Sequence, residues 1–266
     1  MRMVFATFVA VGCLVGPLGA QDESPFAPPK PLGGPIVMPD GRIVSALDQV
    51  KSPWSGALEL GLNGSEGNTQ ILKIRVGADL KYDTPDDVFM LNGWYGLARQ
   101  NGIQNENKAL LTARNEMPID DRWGWYVQGQ LEYDEFRAVD WRIALHTGLT
   151  YTIIKNADTL LKVRAGAGAA REFGGPSDNW LPEAQFGFDF EQKLTERTKF
   201  ILAADYYPDI SDWARFRIRA RSAIEIMLDP ELNLCARFGV QERYDSRPGP
   251  SKRNDLDYFV TLVLKF

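Results

Sequence analysis

The residues best suited to chemistry are arginines and carboxylates that recur at every second position along short segments of the chain. Arg215, Arg217, Arg219 and Arg221 form the clearest run, and Glu225 continues the same parity. Because alternate residues of a β-strand face the same side, this run would place four guanidinium groups in one column about 20 Å long. A column of like charge is unfavourable unless carboxylates face it. With carboxylates opposite, the arginine column would belong to an ion-paired interior or to the wall of a narrow pore that selects small ions or polar solutes.

Both signs of charge occupy the positions that this alternation predicts to face inward. The charged residues predicted to face a common interior are Lys73, Arg75, Asp79, Glu132, Arg142, Glu183, Asp189, Glu191, Arg215, Arg217, Arg219 and Arg221. The carboxylates that can answer the arginine column are Glu59, Asp79, Glu132, Asp134, Glu183, Asp189 and Glu191. We therefore expect an interior largely filled by charged side chains, with an open narrow pore as the alternative.

His146 is the only histidine in the sequence. It shares parity with Arg142 and Gly148, so we expect it to face the interior at mid-membrane depth. A hydrolase at the rim of a barrel would need this histidine beside an exposed serine or aspartate pair, so we predict a structural role and no catalytic residue. The histidine and cysteine content does not supply the usual zinc ligands, and no glycine-rich phosphate loop precedes a helix. We therefore predict neither a metal nor a cofactor.

Segments with a period of two would position these side chains. The twelve predicted strands are 54–62, 69–82, 88–99, 107–117, 123–134, 141–154, 160–173, 183–194, 200–207, 214–228, 232–244 and 255–266. Turn-forming residues separate them, as at 84–87, 118–121 and 155–158. No helical period of useful length interrupts the pattern.

Three features favour a transmembrane barrel over a soluble β fold. Many segments exceed the ~5–6 residues of ordinary strands and match the ~9–11 residues that cross a bilayer at a tilt. The alternate strand positions that carry the polar residues also carry Gly166, Gly168, Gly187 and Gly239. Such a mixture of small and charged side chains suits a crowded interior better than a solvent-facing surface. Aromatic residues gather near strand ends, where interfacial girdles lie. We predict an all-β fold, an antiparallel up-and-down transmembrane β-barrel of about 12 strands.

An even number of strands would place both ends of the barrel on the periplasmic side. On that topology the short turns rich in aspartate, asparagine and proline are periplasmic. The longest turns, 174–179 and 246–254, then lie on the opposite side.

The residues before the barrel differ in composition from the rest. Residues 1–20 predict a secretory signal peptide, with Arg2 before an apolar run and Ala20 at the cleavage point, and a lipoprotein box at Cys13 is the alternative. Residues 21–50 contain six prolines and predict a disordered periplasmic lead-in, with a plug inside the barrel as the alternative. Residues 51–266 form the predicted barrel. Without the signal peptide Cys235 is the only thiol, so no internal disulfide is expected.

Export and a barrel pattern together predict the bacterial outer membrane. The net charge is -5 and the lysines and arginines are scattered, which argues against nucleic acid as a partner. The expected partners are outer-membrane lipid, the barrel-assembly machinery during biogenesis, and small ions or polar solutes inside the barrel.

The last predicted strand carries an alternation typical of an assembly signal. The apolar residues at its alternate positions are Tyr258, Val260, Leu262, Leu264 and Phe266. A terminal phenylalanine preceded by apolar residues at every second position resembles the sorting signal of outer-membrane barrels. We expect this strand to close the barrel against the first strand, 54–62.

Several short motifs resemble one known family. They are WSGALELG at 54–61 with EGNT at 66–69, YDEF at 133–136 with DWR at 140–142, GLTY at 148–151, and KRND at 252–255 continuing to Phe266. Together they resemble the YdiY-like family of salt-induced outer-membrane proteins, a domain of unknown function, over residues 54–266. The resemblance implies a barrel in the outer membrane and brings no mechanism with it.

The leading functional hypothesis is a non-enzymatic, porin-like outer-membrane barrel. It would act as a narrow channel or as an envelope component under salt or osmotic stress, a role that only the resemblance implies. A lipase-like or protease-like hydrolase at the barrel rim is the first alternative. A surface receptor or adhesin is the second, although the predicted loops leave little binding surface.

Overall fold

The computed structural model describes residues 36–37, 43–44, 52–67, 70–137, 139–174, 179–249 and 251–266. The chain divides into two units, residues 1–51 and residues 52–266. In the first unit β1 (Ile36–Val37) pairs antiparallel with β2 (Ile43–Val44). The predicted signal peptide lies outside the described residues, as does the rest of the predicted lead-in.

The second unit is a closed barrel of twelve strands, each antiparallel to the next along the chain. The strands are β3 (Trp54–Ser65), β4 (Ile71–Asp83), β5 (Val88–Gln100), β6 (Ile103–Pro118), β7 (Trp123–Asp134), β8 (Trp141–Lys155), β9 (Thr159–Phe173), β10 (Trp180–Lys193), β11 (Thr198–Pro208), β12 (Phe216–Asp229), β13 (Leu234–Asp245) and β14 (Asn254–Lys265). The prediction of an all-β, up-and-down barrel of 12 strands is confirmed. No helix in the described parts of the chain is long and apolar enough to span a membrane.

The predicted start of the tenth barrel strand was wrong by two residues. Arg215 lies in the turn before β12 and not on the strand itself. The Asp209 amide donates to the Arg215 carbonyl over 2.9 Å, and the Arg215 amide donates to the Asp212 carbonyl over 2.8 Å. These hydrogen bonds hold the chain in a local turn, so the inward column on β12 begins at Arg217.

The side chains are sorted with charge inside and apolar groups outside. On β3, Leu58 and Leu60 are 53% and 56% exposed on the outer face, whereas Glu59 between them is 7% exposed. Arg75 and Arg237 are likewise buried. A water-soluble barrel shows the opposite arrangement, because its core is apolar and its charges face solvent.

The turns at the two ends of the barrel differ in length and construction. At the end where β14 finishes, side chains hold the short turns: the Asp120 carboxylate accepts the amides of Arg122 and Trp123, both over 2.7 Å. Hydrogen bonds from the Trp123 and Arg122 amides hold the pKa of Asp120 below its usual value. At the opposite end lie the longer connections, including 209–215 and 246–253. The predicted asymmetry is present, with a two-residue turn at Asn101–Gly102 as an exception at the long-loop end.

Three inward-facing glycines bring β8 and β9 unusually close together. Gly148 pairs with Gly166, and Gly168 pairs with His146. A Cβ atom on Gly168 would lie 1.9 Å from the carbonyl oxygen of Leu145, and one on Gly148 would lie 2.2 Å from that of Ala165. Only glycine permits this approach of two backbones.

The barrel closes between its last and first strands, as the sequence predicted. Leu262 pairs with Leu60, and Leu264 pairs with Leu58. Phe266 adds two backbone hydrogen bonds with Gly56, of 2.9 and 3.0 Å.

Candidate functional site

The candidate site is the charged barrel interior, and its centre is a carboxylate shared by two arginines. Glu132 on β7 contacts Arg219 on β12 and accepts a hydrogen bond of 2.9 Å from Nη1 of Arg243 on β13. Arg243 also donates to Asp134 over 2.8 Å and contacts Asp255. We call Glu132, Arg219 and Arg243 the central layer, because they join side chains from opposite walls of the barrel.

A second cluster surrounds Glu183 towards the long-loop end. Its carboxylate accepts hydrogen bonds from Arg142 over 2.6 Å and from Arg217 over 3.0 Å. Nε2 of His146 lies 3.5 Å from the same carboxylate, and the imidazole is fully buried beside the ring of Tyr207 at 5.1 Å. His146 therefore lies in the interior, where the sequence expected it, and away from the rim that a hydrolase would use.

A third cluster is built on Glu59 on β3. Its carboxylate lies 2.7 Å from Arg237, 3.3 Å from Arg221 and 3.4 Å from Arg75. Arg237 also pairs with Glu225 over 2.9 Å. Removing such a shared carboxylate would leave buried guanidinium groups without their partner, which costs about 3–5 kcal/mol in comparable buried pairs.

Two further clusters complete the interior. Asp189 pairs with Arg164 over 2.5 Å and with Arg114 over 3.3 Å. On the other side of the barrel, Lys73 pairs with Glu106 over 2.9 Å and Lys108 pairs with Asp257 over 2.6 Å. In the central layer and in each of these four clusters, charges of opposite sign pair with one another. Lys108 also lies 4.0 Å from Asp255, which contacts Arg243 of the central layer.

The residues predicted to face the interior therefore belong to several different clusters and do not form one continuous charged face. Arg217, Arg219 and Arg221 each meet a carboxylate that the sequence had proposed for the column: Glu183, Glu132 and Glu59 respectively. Arg215 instead lies 3.6 Å from Glu172, which had not been proposed.

Asp79 and Glu191 have local partners. Asp79 accepts a hydrogen bond of 2.9 Å from Asn92, and Glu191 pairs with Lys199. Sequence reasoning missed Arg237 and Arg243, although they share one parity on β13 and the same alternation could have found them.

Two cavities lie on either side of the central layer. The cavity at the long-loop end has a volume of 540 Å³ and is lined by residues that include Arg142, Glu172 and Arg217. The other has a volume of 450 Å³ and extends towards Lys199 and Lys265 at the short-turn end. Arg219 and Arg243 line both cavities, so they form the partition between them. Each volume falls within the ~300–1,000 Å³ typical of small-molecule sites.

No group of three or more histidine, cysteine, aspartate or glutamate side chains suited to a metal ion occurs among the residues that the structure describes. What the arrangement offers is fixed charge of both signs along the walls of two cavities. Such an arrangement can bind or pass small ions and polar solutes.

Comparison with known proteins identifies one sequence family and several solved barrels. The family described as "Protein of unknown function, DUF481" matches residues 58–266. No curated protein matches the sequence.

Three of the similar solved structures are, by name, two porins and the translocator domain of an autotransporter. The KdgM porin has a TM-score of 0.44 and 12% identity over 80% of this chain and 99% of its own. The NanC porin has a TM-score of 0.42 and 10% identity over 79% and 97%. The translocator domain of the autotransporter NalP from Neisseria meningitidis has a TM-score of 0.40 and 10% identity over 83% and 90%.

Proposed function

The chain belongs to the DUF481 family of proteins of unknown function, and we propose that it is a narrow, non-enzymatic channel of the bacterial outer membrane. The observation that carries the proposal is the pair of interior cavities that meet at the central layer.

The outer surface of the barrel supports the membrane location. Large apolar side chains face outward along the strands, among them Leu111 in the middle of β6 and Ile224 in the middle of β12. The strands are 11 to 16 residues long, enough to cross a bilayer at a tilt, which takes ~9–11 residues. A closed barrel is also the only β structure that satisfies its backbone in lipid. Export by a signal peptide and the assembly signal ending at Phe266 belong to the same proposal.

Replacing Leu111 with lysine tests the membrane location. Leu111 is 43% exposed on the outer face of β6. A lysine in the lipid-facing middle of a strand is expected to destabilise the barrel by about 2–4 kcal/mol. The measurement is urea unfolding of the barrel in lipid vesicles, followed by tryptophan fluorescence.

Leu232→Lys is the matched control for that substitution. Leu232 is 62% exposed but lies in the turn between β12 and β13, so its replacement is expected to change stability by less than about 0.5 kcal/mol. Equal stability of the two variants would contradict burial of the outer face in lipid.

The channel itself is tested by recording from the purified protein in planar bilayers. We expect small, discrete conductance steps, because charged side chains of both signs line the two cavities and Arg219 and Arg243 line both. Heat-modifiable gel mobility shows that the preparation is a folded barrel. A folded barrel that gave no conductance steps at any salt concentration would exclude the channel.

The alternative functions have less support. A rim hydrolase would use His146, whose side chain is buried beside Glu183 and Tyr207 in the interior. A receptor or adhesin would need larger loops than the connections of two to eight residues at the long-loop end. Membership of the YdiY-like group and a role in salt or osmotic stress stay predictions from the resemblance.

A further inference from the structure

The cavity at the short-turn end, which we call the short-turn cavity, has one wall that carries little charge. Its lining on β5, β6 and β7 comprises Asn92, Gly93, Trp94, Leu110, Thr112, Arg114, Gln128 and Gln130. Arg114 is the one charged member of this described set, whereas the opposite wall on β10 to β13 carries charged residues such as Asp189, Lys199 and Arg221. We call Asn92, Trp94, Leu110, Thr112, Gln128 and Gln130 the uncharged wall.

The uncharged wall adjoins the central layer. Trp94 pairs with Leu110, which in turn pairs with Glu132, so the tryptophan lies at the level of the central layer. The next row towards the short-turn end consists of Asn92, Thr112 and Gln130. A solute bound to this wall would therefore lie directly beside the partition that a permeating ion must pass.

Gln128 offers the short-turn cavity a buried hydrogen-bond donor. It is 2% exposed, and its amide nitrogen Nε2 has no hydrogen-bond partner among the residues that the structure describes. His146 pairs with Gln128 across β7 and β8, but its ring nitrogens accept no hydrogen bond from it. A buried donor without a partner is unfavourable. Because Gln128 lines the cavity, a bound molecule with an accepting oxygen can supply the missing partner.

Trp94 offers the same cavity an aromatic surface. The guanidinium group of Arg75 stacks on one face of the indole, 4.2 Å from the ring centroid. Trp94 lines the short-turn cavity and Arg75 does not, so the opposite face of the indole is the one that borders the cavity. The face of an aromatic ring is negative and attracts groups with a partial positive charge. The C–H groups on one face of a sugar ring are such groups.

The charges on the opposite wall already have partners. Arg221 and Arg237 share Glu59 at 3.3 and 2.7 Å, and Arg164 holds Asp189 and Asp205 at 2.5 and 2.7 Å. An ionic solute would have to separate such pairs, which is costly in a buried setting. A neutral solute with several hydroxyl groups need not do so, because each hydroxyl both donates and accepts hydrogen bonds and carboxylate oxygens keep spare lone pairs.

We propose that the short-turn cavity binds a small neutral carbohydrate, which names a solute class for the channel and so rests on the proposed function. One face of the sugar ring stacks on Trp94, and a hydroxyl group accepts the free hydrogen bond from Nε2 of Gln128. Other hydroxyl groups bind Thr112 and Gln130. The volume of 450 Å³ falls within the ~300–1,000 Å³ of small-molecule sites. The bound sugar narrows the passage beside the central layer.

Saturation-transfer NMR on the folded, full-length barrel in detergent micelles tests the ligand class, with glucose as the probe. Glucose is expected to bind. Glucuronate, which carries a carboxylate in place of the primary hydroxyl group of glucose, is expected to bind more weakly. No binding of glucose, or binding of glucuronate as tight as that of glucose, would overturn the proposal.

Replacing Trp94 with leucine tests the aromatic surface. Loss of the stacking contact is expected to weaken glucose binding about tenfold. Trp125→Leu is the matched control, because Trp125 is 43% exposed on the outer face of β7 and its loss leaves the interior unchanged. Equal binding by the two variants would overturn the proposal. Heat-modifiable gel mobility shows that both variants are folded.

Replacing Gln128 with methionine distinguishes a binding role from a structural one. Methionine keeps the length of the side chain and removes the donor. Glucose binding is expected to weaken about fivefold, while the urea midpoint of the free barrel stays the same or rises because the donor has no partner there. Unchanged binding, or a fall in the urea midpoint, would make Gln128 a structural residue and would overturn its role in the site.

Current recordings separate this proposal from the proposed channel. Glucose added to both sides of a planar bilayer is expected to reduce the single-channel current of the wild type and to leave that of Trp94→Leu nearly unchanged. A barrel that binds glucose in micelles but never conducts loses only the channel. A barrel that conducts but does not bind glucose, or whose current glucose does not reduce, loses only the carbohydrate site.

Discussion

Replacing Gly168 with alanine is expected to destabilise the barrel by about 3 kcal/mol or more, at or above the top of the usual range for overpacked interiors. The added Cβ would lie 1.9 Å from the carbonyl oxygen of Leu145 and 2.7 Å from the Cα of His146. Both are backbone atoms of β8, which cannot move away without breaking the β8–β9 pairing. The measurement is the urea midpoint of the barrel in lipid vesicles together with heat-modifiable gel mobility.

Gly129→Ala is the matched control for this substitution. Gly129 is also a mid-strand glycine, but the atom nearest to its added Cβ would be Cδ2 of Leu145 at 3.6 Å, an ordinary contact. We expect its stability to change by less than about 0.5 kcal/mol or to rise slightly. A Gly168→Ala barrel that unfolded at the wild-type urea concentration would refute the close approach of β8 and β9.

The same glycines explain how large side chains fit inside a crowded barrel. Gly166 faces the hydroxyl group of Tyr126, which would lie 2.4 Å from an added Cβ. Tyr126 is fully buried and donates a hydrogen bond of 3.0 Å to Gln185. The glycines therefore make room for a buried tyrosine and for His146, and they are part of the packing of the interior.

Strand parity made most of the fold predictable. Alternation with a period of two identifies which residues face inward. Once the turns between the strands are located, an even number of strands gives an up-and-down barrel that closes on itself. Gly166 and Gly168 were assigned to the inward face in this way. Their close contact with β8 was not predictable, because it depends on how sharply two neighbouring strands bend in the finished barrel.

The partners across the barrel were the part that the sequence could not specify. Arg221 meets Glu59 across a separation of 162 residues, and Arg219 meets Glu132 across 87 residues. Such pairs depend on the tilt and stagger of the strands, which alternation does not encode. Parity could name the candidates for the interior, but it could not sort them into separate clusters or reveal the cavities between them.

The clustering changes the meaning of the arginine column. Arg217 and Arg221 lie in clusters on opposite sides of the central layer, around Glu183 and Glu59. Only Arg219 belongs to the partition between the two cavities. The column therefore does not form a uniform positive wall, and we expect its middle member and the carboxylate facing it to control passage.

Replacing Glu132 with glutamine is accordingly expected to shift the selectivity of the channel towards anions. Glutamine keeps the size of the side chain but removes the negative charge that Arg219 and Arg243 share. A unit charge about 4 Å away contributes roughly 4 kcal/mol at an effective dielectric constant of 20, and solvent in the cavities reduces this value. We expect about a tenfold rise in the ratio of anion to cation permeability, which corresponds to ~1.4 kcal/mol. The measurement is the reversal potential of single channels under a salt gradient.

Glu191→Gln separates this effect from a general loss of negative charge. Glu191 lines the other cavity, at the short-turn end, but it pairs with Lys199 and its side chain is 40% exposed. Water screens a charge at such a position, so we expect its removal to change the permeability ratio less than about twofold. If Glu132→Gln and Glu191→Gln shifted the reversal potential equally, selectivity would reside in the overall charge of the interior. A shift confined to Glu132→Gln would assign it to the central layer, where the two cavities meet and a permeating ion must pass between Arg219 and Arg243.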